Sequence, residues 1–582
     1  MKLSEEVLRS FLGGTGLGVY LMHRESQATV DAFDSRSALA FIFSPLVGSP
    51  LTTSAKFTVA NRSPLTDMYN DSLASSGFAI AGKSAGWDAI VLVGHAEVPS
   101  IVIIDEDQID LQPAEELWGQ SIPDTERGLE QRLGSKFSYA TIGPAGEKQV
   151  RFATISHDGR HAGRGGSGAI LGAKKIKAIA IRGKQRPRWF DPTALAKYSK
   201  ELSARSFGPA TAKYRELGTA SNLLTFNRLK TLPTRNFQRG SFEGATQLAP
   251  ESLSINHQKT RHSCAACTIG CEHVYQLDNS SDGVRLEYEN LFALGSLCEV
   301  DDPKIVLQAC KLCDQLGIDT ISAGATIAFA MECVQRGLLD EPWLQFGNGA
   351  ALLRALDLIG NRREFGNQLA EGSRRLSWQI GQSSADFAPH VKGLEIPGYE
   401  PRGLQAMALG FAVSARGADH NRSGAYEADF SERVDRRQID ERSVQIAIQT
   451  ENQAAIMDSL ILCKFLRGVF DDFFSEASGM LRLVTGWEVN ASELQQTANR
   501  IVTTKKLFNI QAGWDPKDDT LPKRFLSEPL SDDPKANLTH AELHSMIVAY
   551  NRQRGWTDEG RPKPNSLNDL KLDTLLINSP SG

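Results

Sequence analysis

Three cysteines stand within eight residues in Cys264-Ala265-Ala266-Cys267-Thr268-Ile269-Gly270-Cys271. The spacings, C-x2-C and then x3-C, let three thiolates converge on one metal or one cluster. Gly270 and the apolar Ile269 let the backbone wrap around that point. A structural zinc site takes its ligands as two pairs. An iron–sulfur cube takes four thiolates, commonly three in a run and a fourth from far along the chain. Cys463 is a candidate for that fourth ligand. The competing reading is a zinc-stapled binding protein in which His262 or His273 completes a Cys3His set. A radical enzyme using S-adenosylmethionine fits less well, because its usual cysteine order is the reverse of this one.

Two further stretches carry chemistry. Arg164-Gly165-Gly166-Ser167-Gly168 runs into the apolar Ala169-Ile170-Leu171. Backbone N–H groups exposed at a helix start beside an arginine suit an anionic group such as phosphate; a plain turn explains the same residues equally well. Asp314-Gln315-Leu316-Gly317-Ile318-Asp319 and Asp458-Ser459-Leu460-Ile461-Leu462-Cys463 resemble each other, and the second ends on the distant thiol. Carboxylates only accept hydrogen bonds, so they suit a ligand edge rich in N–H donors. Taken alone, Asp319 reads as a helix cap. Gly14-x-Gly16-x-Gly18 superficially matches a dinucleotide fingerprint, but that motif needs a strand before it, and Glu5 to Leu12 reads as helix.

The elements that must position these residues change texture once. Up to about residue 190 the chain is strand-rich, with short β-branched or apolar runs at 39–43, 56–60, 89–93, 101–104 and 176–181 bounded by turn residues. From Asp191-Pro192, an N-cap followed by proline at the first helical position, helical spacing dominates. Asp302-Pro303 opens another helix, Gly317 ends it and Asp319 caps the next. A Pro-Gly break near residue 397 marks a second boundary. The expected fold is α+β: a β-rich domain over 1–190, then mainly helical domains over 191–396 and 397–582. The last twenty or so residues read as a loose tail or surface strap.

Composition narrows the function classes. At 582 residues the chain is too long for one core. Its 41% hydrophobic and 23% charged residues are those of a globular protein, and the net charge of −5 argues against nucleic acid or an anionic membrane as the main partner. No apolar run is long enough to span a bilayer. Acids stand where a signal peptide has bases, so a cytoplasmic, reduced location is expected. Eight cysteines there bind metal more readily than they form disulfides.

Nearly end to end, the chain resembles the aldehyde:ferredoxin oxidoreductase family of tungsten enzymes. Besides the cysteines, the matching stretches are 11–18, 85–90, 142–147, 162–166, Glu287-Tyr288-Glu289 and Arg416-Gly417-Ala418-Asp419-His420. The resemblance implies a β-rich domain cradling the cofactor under two helical domains. It also implies a tungsten (or molybdenum) bis-pterin cofactor with one [4Fe–4S] cluster beside it. Cys264, Cys267, Cys271 and Cys463 would hold the cluster. Asp314, Ile318 and Asp319 would contact one pterin, and Asp458 and Leu462 the other. Arg164, Gly165, Ser167, Gly168, Arg416 and Arg422 would line the cofactor, with Glu289 and His420 near the metal. Without the resemblance, Glu289 reads as a helix-surface acid and His420 as a loop histidine.

Departures from the family pattern matter too. Lys56 stands where members often place an arginine bridging cofactor and cluster; it keeps the charge and loses the planar fork. Leu73-Ala74-Ser75-Ser76 replaces an Asn- and Gly-containing segment, and Ile461 replaces a glycine. Gln308 and Lys311 occupy the place of a Glu-x-x-His that holds a metal between subunits in some dimeric members, so no interface metal is expected. The implied reaction is oxidation of a small-molecule aldehyde to its acid, with electrons leaving to ferredoxin or an iron–sulfur subunit. Protein side chains cannot store two electrons, so that redox step belongs to the cofactor. His420 would polarise the carbonyl and Glu289 would take a proton. Some family members instead reduce an aromatic ring held as a thioester; the presence of both Glu289 and His420 favours aldehydes. A homo- or hetero-oligomer is compatible with all of this.

Overall fold

β-Branched runs pair into two sheets before residue 183. The structure, a computed structural model, describes residues 1–277, 283–432, 434–438 and 440–577. The first sheet is antiparallel throughout, in the order Tyr69–Ser75, Lys56–Arg62, Leu39–Ile42, Ala89–Leu92. Its register pairs Lys56 with Ser75 and Ala60 with Asp71. Alternation along each strand therefore puts Lys56 and Asp71 on one face. The second sheet runs Gln108–Pro113, Ser100–Asp105, Ile176–Arg182, Ser138–Thr141, Ile155–His157, Arg160–Ala162. Only the pairing of Ser100–Asp105 with Ile176–Arg182 is parallel. Phe41, Phe57, Phe78 and Ile179 pack into a core shared by the two sheets.

The glycine run is a packing device. It forms the helix Gly14–Glu25, which lies under the first sheet. A Cβ on Gly14 would stand 2.1 Å from the carbonyl oxygen of Asp458, and Gly14 has φ +42°. The Gly16 N–H donates to Ser459 Oγ at 3.1 Å. Only glycine lets this helix approach the backbone of the second aspartate motif so closely.

The expected helix starts form as read. Asp191 accepts from the Ala194 N–H at 2.9 Å and opens Pro192–Ser206. Asp302 caps Pro303–Leu316, Gly317 ends it at φ +77°, and Asp319 caps Thr320–Gln335. The helix Glu441–Leu460 ends at Ile461 with φ +65°, a left-handed conformation that a β-branched residue rarely adopts. One apolar core runs from Phe11 through Phe292 and Phe411 to Trp556.

The stretch read as mainly helical also contains an antiparallel sheet of Lys259–His262, Glu272–Gln276 and Gly283–Leu286. Its strands are short and polar, so neither apolar run nor helical spacing announced them. The cysteine trio is the connection between the first two. The tail read as loose forms the short helices Pro564–Asp569 and Leu572–Ile577, and its last five residues lie outside the described ones. Among the described residues no helix is long and apolar enough to cross a membrane.

Gly14→Ala should destabilise the protein by about 1–3 kcal/mol, the usual cost of forcing extra volume into a packed contact. Thermal unfolding measured by calorimetry checks this, and an unchanged transition would mean the helix does not need its close approach to residue 458.

Candidate active site

A cavity of about 880 Å³ opens where the first sheet, the cysteine hairpin and the two aspartate motifs meet. Of the sequence-selected residues, Lys56, Arg164, Cys264, Cys271, Glu289, Asp314, Ile318, Asp319, Arg416, His420, Arg422, Asp458, Leu462 and Cys463 line it. Cys267 lies just behind, within the electrostatic field of Cys463 and Cys264. Gly165, Ser167 and Gly168 do not line the cavity. A Cβ on Gly165 would meet Asn70 Oδ1 at 2.0 Å and one on Gly168 the Thr154 carbonyl at 2.2 Å, while Ser167 Oγ donates to Asn61 Oδ1 at 2.8 Å. These three set the backbone that presents Arg164.

Two adjacent threonines clamp the remote thiol segments together. The Thr53 N–H donates to the Ala266 carbonyl at 2.6 Å, and Thr53 Oγ1 accepts from the Cys463 N–H at 3.2 Å. Thr52 Oγ1 accepts from the Thr268 N–H at 3.0 Å. Burial pushes the Cys267 thiol up to about 11, with Cys463 adding to the shift, and raises Cys271 well above the usual thiol range. Burial works against the Lys56 ammonium, but the field of Cys463, Cys264, Asp458 and Cys267 leaves it raised. Neither candidate histidine joins the sulfurs: His262 is exposed beside Thr260, and His273 Nε2 lies 3.0 Å from the Arg215 carbonyl. Among the described residues no three His, Cys, Asp or Glu side chains close up as ligands of a single ion. The four cysteines do lie within one another's electrostatic field.

Buried charge builds the opposite wall. Asp71 accepts from Arg422 Nε at 2.6 Å and Lys505 Nζ at 2.5 Å. Burial alone would favour its neutral form, yet Arg422, Lys505 and Arg416 hold its carboxyl well below the usual range. Asp458 takes Arg422 Nη1 at 3.2 Å and Lys464 Nζ at 2.8 Å. Arg164 reaches Asp319 Oδ2 at 3.3 Å and the carbonyls of Ala418 and Glu395 at 2.8 and 2.6 Å. Arg416 lies 3.3 Å from Asp419, and burial pulls it down to about 10. Its Nε and Nη2 are buried and have no protein partner. Buried, unspent guanidinium donors fit an anionic group such as the phosphate of a pterin cofactor.

Glu289 and His420 face each other across this cavity, Oε1 to Nε2 at 3.7 Å. Glu289 lies in the first turn of the helix Tyr288–Leu294, and its Oε2 accepts from the Gly398 N–H at 3.0 Å. Burial pushes its carboxyl up to about 8, against the Gly398 bond and Arg164. Burial pulls His420 down to about 4, so its imidazole is neutral at pH 7. The ring stacks on Tyr399 with centroids 5.0 Å apart. Asn421 Nδ2 stands 3.0 Å from His420 Nε2. When the amide donates there, the ring proton sits on Nδ1, which is buried and free of protein partners, as is Glu289 Oε1. One donor and one acceptor are thus left for a guest.

The sequence reading passed over Thr53, Asp71 and Arg160. Arg160 pairs with Glu272 at the base of the cysteine hairpin. The signal for Arg160 was the preceding Asp158-Gly159, at φ 47° and 65°, a tight hairpin turn. Asp71 and Thr53 carry no local signal, because their partners are hundreds of residues away.

The family model described as aldehyde ferredoxin oxidoreductase, N-terminal domain, matches residues 1–183, and that described as domains 2 & 3 matches residues 194–572. This chain belongs to the aldehyde ferredoxin oxidoreductase family and is an oxidoreductase. The tungsten-containing aldehyde ferredoxin oxidoreductase of Thermococcus kodakarensis is 35% identical to it over 98% of this chain and 96% of the relative. That of Pyrococcus horikoshii is 34% identical over the same shares. A solved structure, the active site complex BamBC of benzoyl coenzyme A reductase with 1,5-dienoyl-CoA, contains a chain of the same fold. It superposes with a TM-score of 0.84 over 99% of this chain and 95% of that one, at 21% identity.

Asp71→Ala should cost about 3–5 kcal/mol, because it strands buried cations without their counter-charge. Denaturant unfolding would show the midpoint move; a loss within error would mean Arg422 and Lys505 find other partners.

Proposed function

We propose that this enzyme oxidises an aldehyde to the carboxylic acid at a tungsten (or molybdenum) bis-pterin centre. The observation that carries this is the Glu289–His420 pair, with one unpartnered atom on each, in the cavity that also holds the unspent Arg416 donors and the four-thiol nest. The names of the Thermococcus and Pyrococcus relatives support it. Asp314, Ile318, Asp319, Arg164 and Arg416 would hold one pterin, and Asp458, Leu462 and Arg422 the other. Cys264, Cys267, Cys271 and Cys463 would hold a [4Fe–4S] cluster, with Lys56 between cluster and cofactor. When bound, the metal centre supplies the two-electron chemistry that side chains lack.

The residues then divide the remaining work. His420 Nδ1–H donates to the aldehyde oxygen and makes the carbonyl carbon more electrophilic. A neutral imidazole does this without surrendering a proton. Glu289, as carboxylate, takes the proton released when water oxygen joins that carbon; burial raises its pKa so that it is a competent base near neutral pH. Tyr399 and Tyr426, stacked 5.3 Å apart, help shield the pair from bulk water. Loss of the aldehyde C–H hydrogen as a second proton would free two electrons, which a ferredoxin or iron–sulfur subunit would accept one at a time by way of the group that the four thiols would hold. We assign the protein to the cytoplasm and keep the three-part division at residues 190 and 396.

The deciding experiment is turnover of simple aldehydes with an artificial dye acceptor, alongside tungsten, molybdenum, iron and acid-labile sulfide analysis. Inertness toward aldehydes with reduction of an aromatic thioester would favour the ring-reducing reading, to which the fold shared with the benzoyl coenzyme A reductase chain gives support. A colourless zinc protein would overturn both.

Glu289→Gln should keep metal and sulfide and lose about 10²–10⁴-fold in rate, the usual worth of a general base. Full activity in that variant removes Glu289 from the mechanism. Because the carboxylate is the active form, kcat/KM should rise with pH through about 8 and level off above it. A flat wild-type profile between pH 6 and 9 would contradict a base at residue 289.

A further inference from the structure

The edge strand Arg160–Ala162 ties two parts of the site together. The Asp158-Gly159 turn pairs Arg160 with His157 and aims its side chain at the cysteine hairpin. There the guanidinium pairs with Glu272, the residue after Cys271, and lines the same cavity as Cys264 and Cys271. Its side chain is only 11% exposed and that of Glu272 13%. One residue further, His161 Nε2 stands 3.0 Å from Asp314 Oδ1, and Arg164 reaches Asp319 at 3.3 Å. Five consecutive residues therefore touch the thiol hairpin and both carboxylates of the first aspartate motif. Lys56 supplies a second cation in the field of Cys463, Cys264 and Cys267. Its ammonium is a point charge, whereas a guanidinium can bond a sulfur and a carboxylate together through its planar fork.

We infer that Arg160 is a positioning residue that sets the reduction potential of the cluster held by the four thiols, an inference that rests on the cluster assignment above. A positive charge beside the ligand sulfurs stabilises the reduced cluster, which carries one more negative charge. The step is a one-electron reduction; no atom is transferred and the guanidinium keeps its protons. Glu272 works in the opposite sense, because its carboxylate draws on the same guanidinium and cancels part of its charge.

An EPR-monitored redox titration of the holoenzyme tests this. Arg160→Gln should leave iron and sulfide content intact and make the cluster harder to reduce by about tenfold in the equilibrium, 59 mV for one electron. Glu272→Gln should move the midpoint the other way. A merely structural role would change cluster content without these opposite shifts. Fully loaded variants with wild-type midpoints overturn the inference and leave the proposed function standing. Wild-type protein without iron or sulfide overturns both. Should Arg160→Gln fail to assemble the cluster, Glu272→Gln decides: a more positive midpoint supports the inference, and an unchanged or more negative one overturns it.

Discussion

Buried charge in mutual balance is the constraint on which this structure depends. Asp71 and Asp458, both almost fully enclosed, share Arg422, and each holds a lysine of its own. Burying an ion costs several kcal/mol even after relaxation, so none of these groups is tolerable without the others. The partners come from residues 71, 422, 458, 464 and 505, so the balance can be struck only when the sheet and the late helices are assembled together. Arg416 joins this balance through Asp419 and the field of Asp71, yet two of its donors remain unspent. A paired cation with donors to spare suits an acceptor-rich, anionic guest.

The thiol end answers to a different constraint, set by distance along the chain. Nearly two hundred residues separate the trio from Cys463, and neither segment lies in a long regular element. Thr52 and Thr53 supply the missing order through backbone and hydroxyl bonds to both segments. Gly14 and Gly16 supply it from the other side by letting a helix touch the backbone at 458–459. The second aspartate motif is thus held between a turn and a helix, and its aspartate and its thiol face one cavity.

Much of this was legible in the residues and some was not. The capped helix starts at Asp191, Asp302 and Asp319 depend on contacts three residues away, which sequence displays directly. The β-rich opening was visible in short β-branched runs bounded by turn residues, whereas the gathering of Asp314, Asp319, Asp458, Glu289 and His420 followed from a family resemblance. The sheet around the cysteines escaped because Lys259–His262 has exposed polar residues and no apolar alternation. Gly165, Ser167 and Gly168 were expected against the cofactor and instead buttress Arg164, since a motif reveals which residues cluster but not which atom faces inward. Asp71 and Thr53 were invisible because what makes them matter is long-range electrostatics and a long-range clamp.

Ile461 carries a consequence for the two residues that follow it. Its left-handed backbone persists only while flanking contacts enforce it, since a β-branched residue gains by relaxing to extended geometry. At that position the chain turns off the end of the long helix, so that Leu462 and Cys463 come to the cavity wall straight after Asp458.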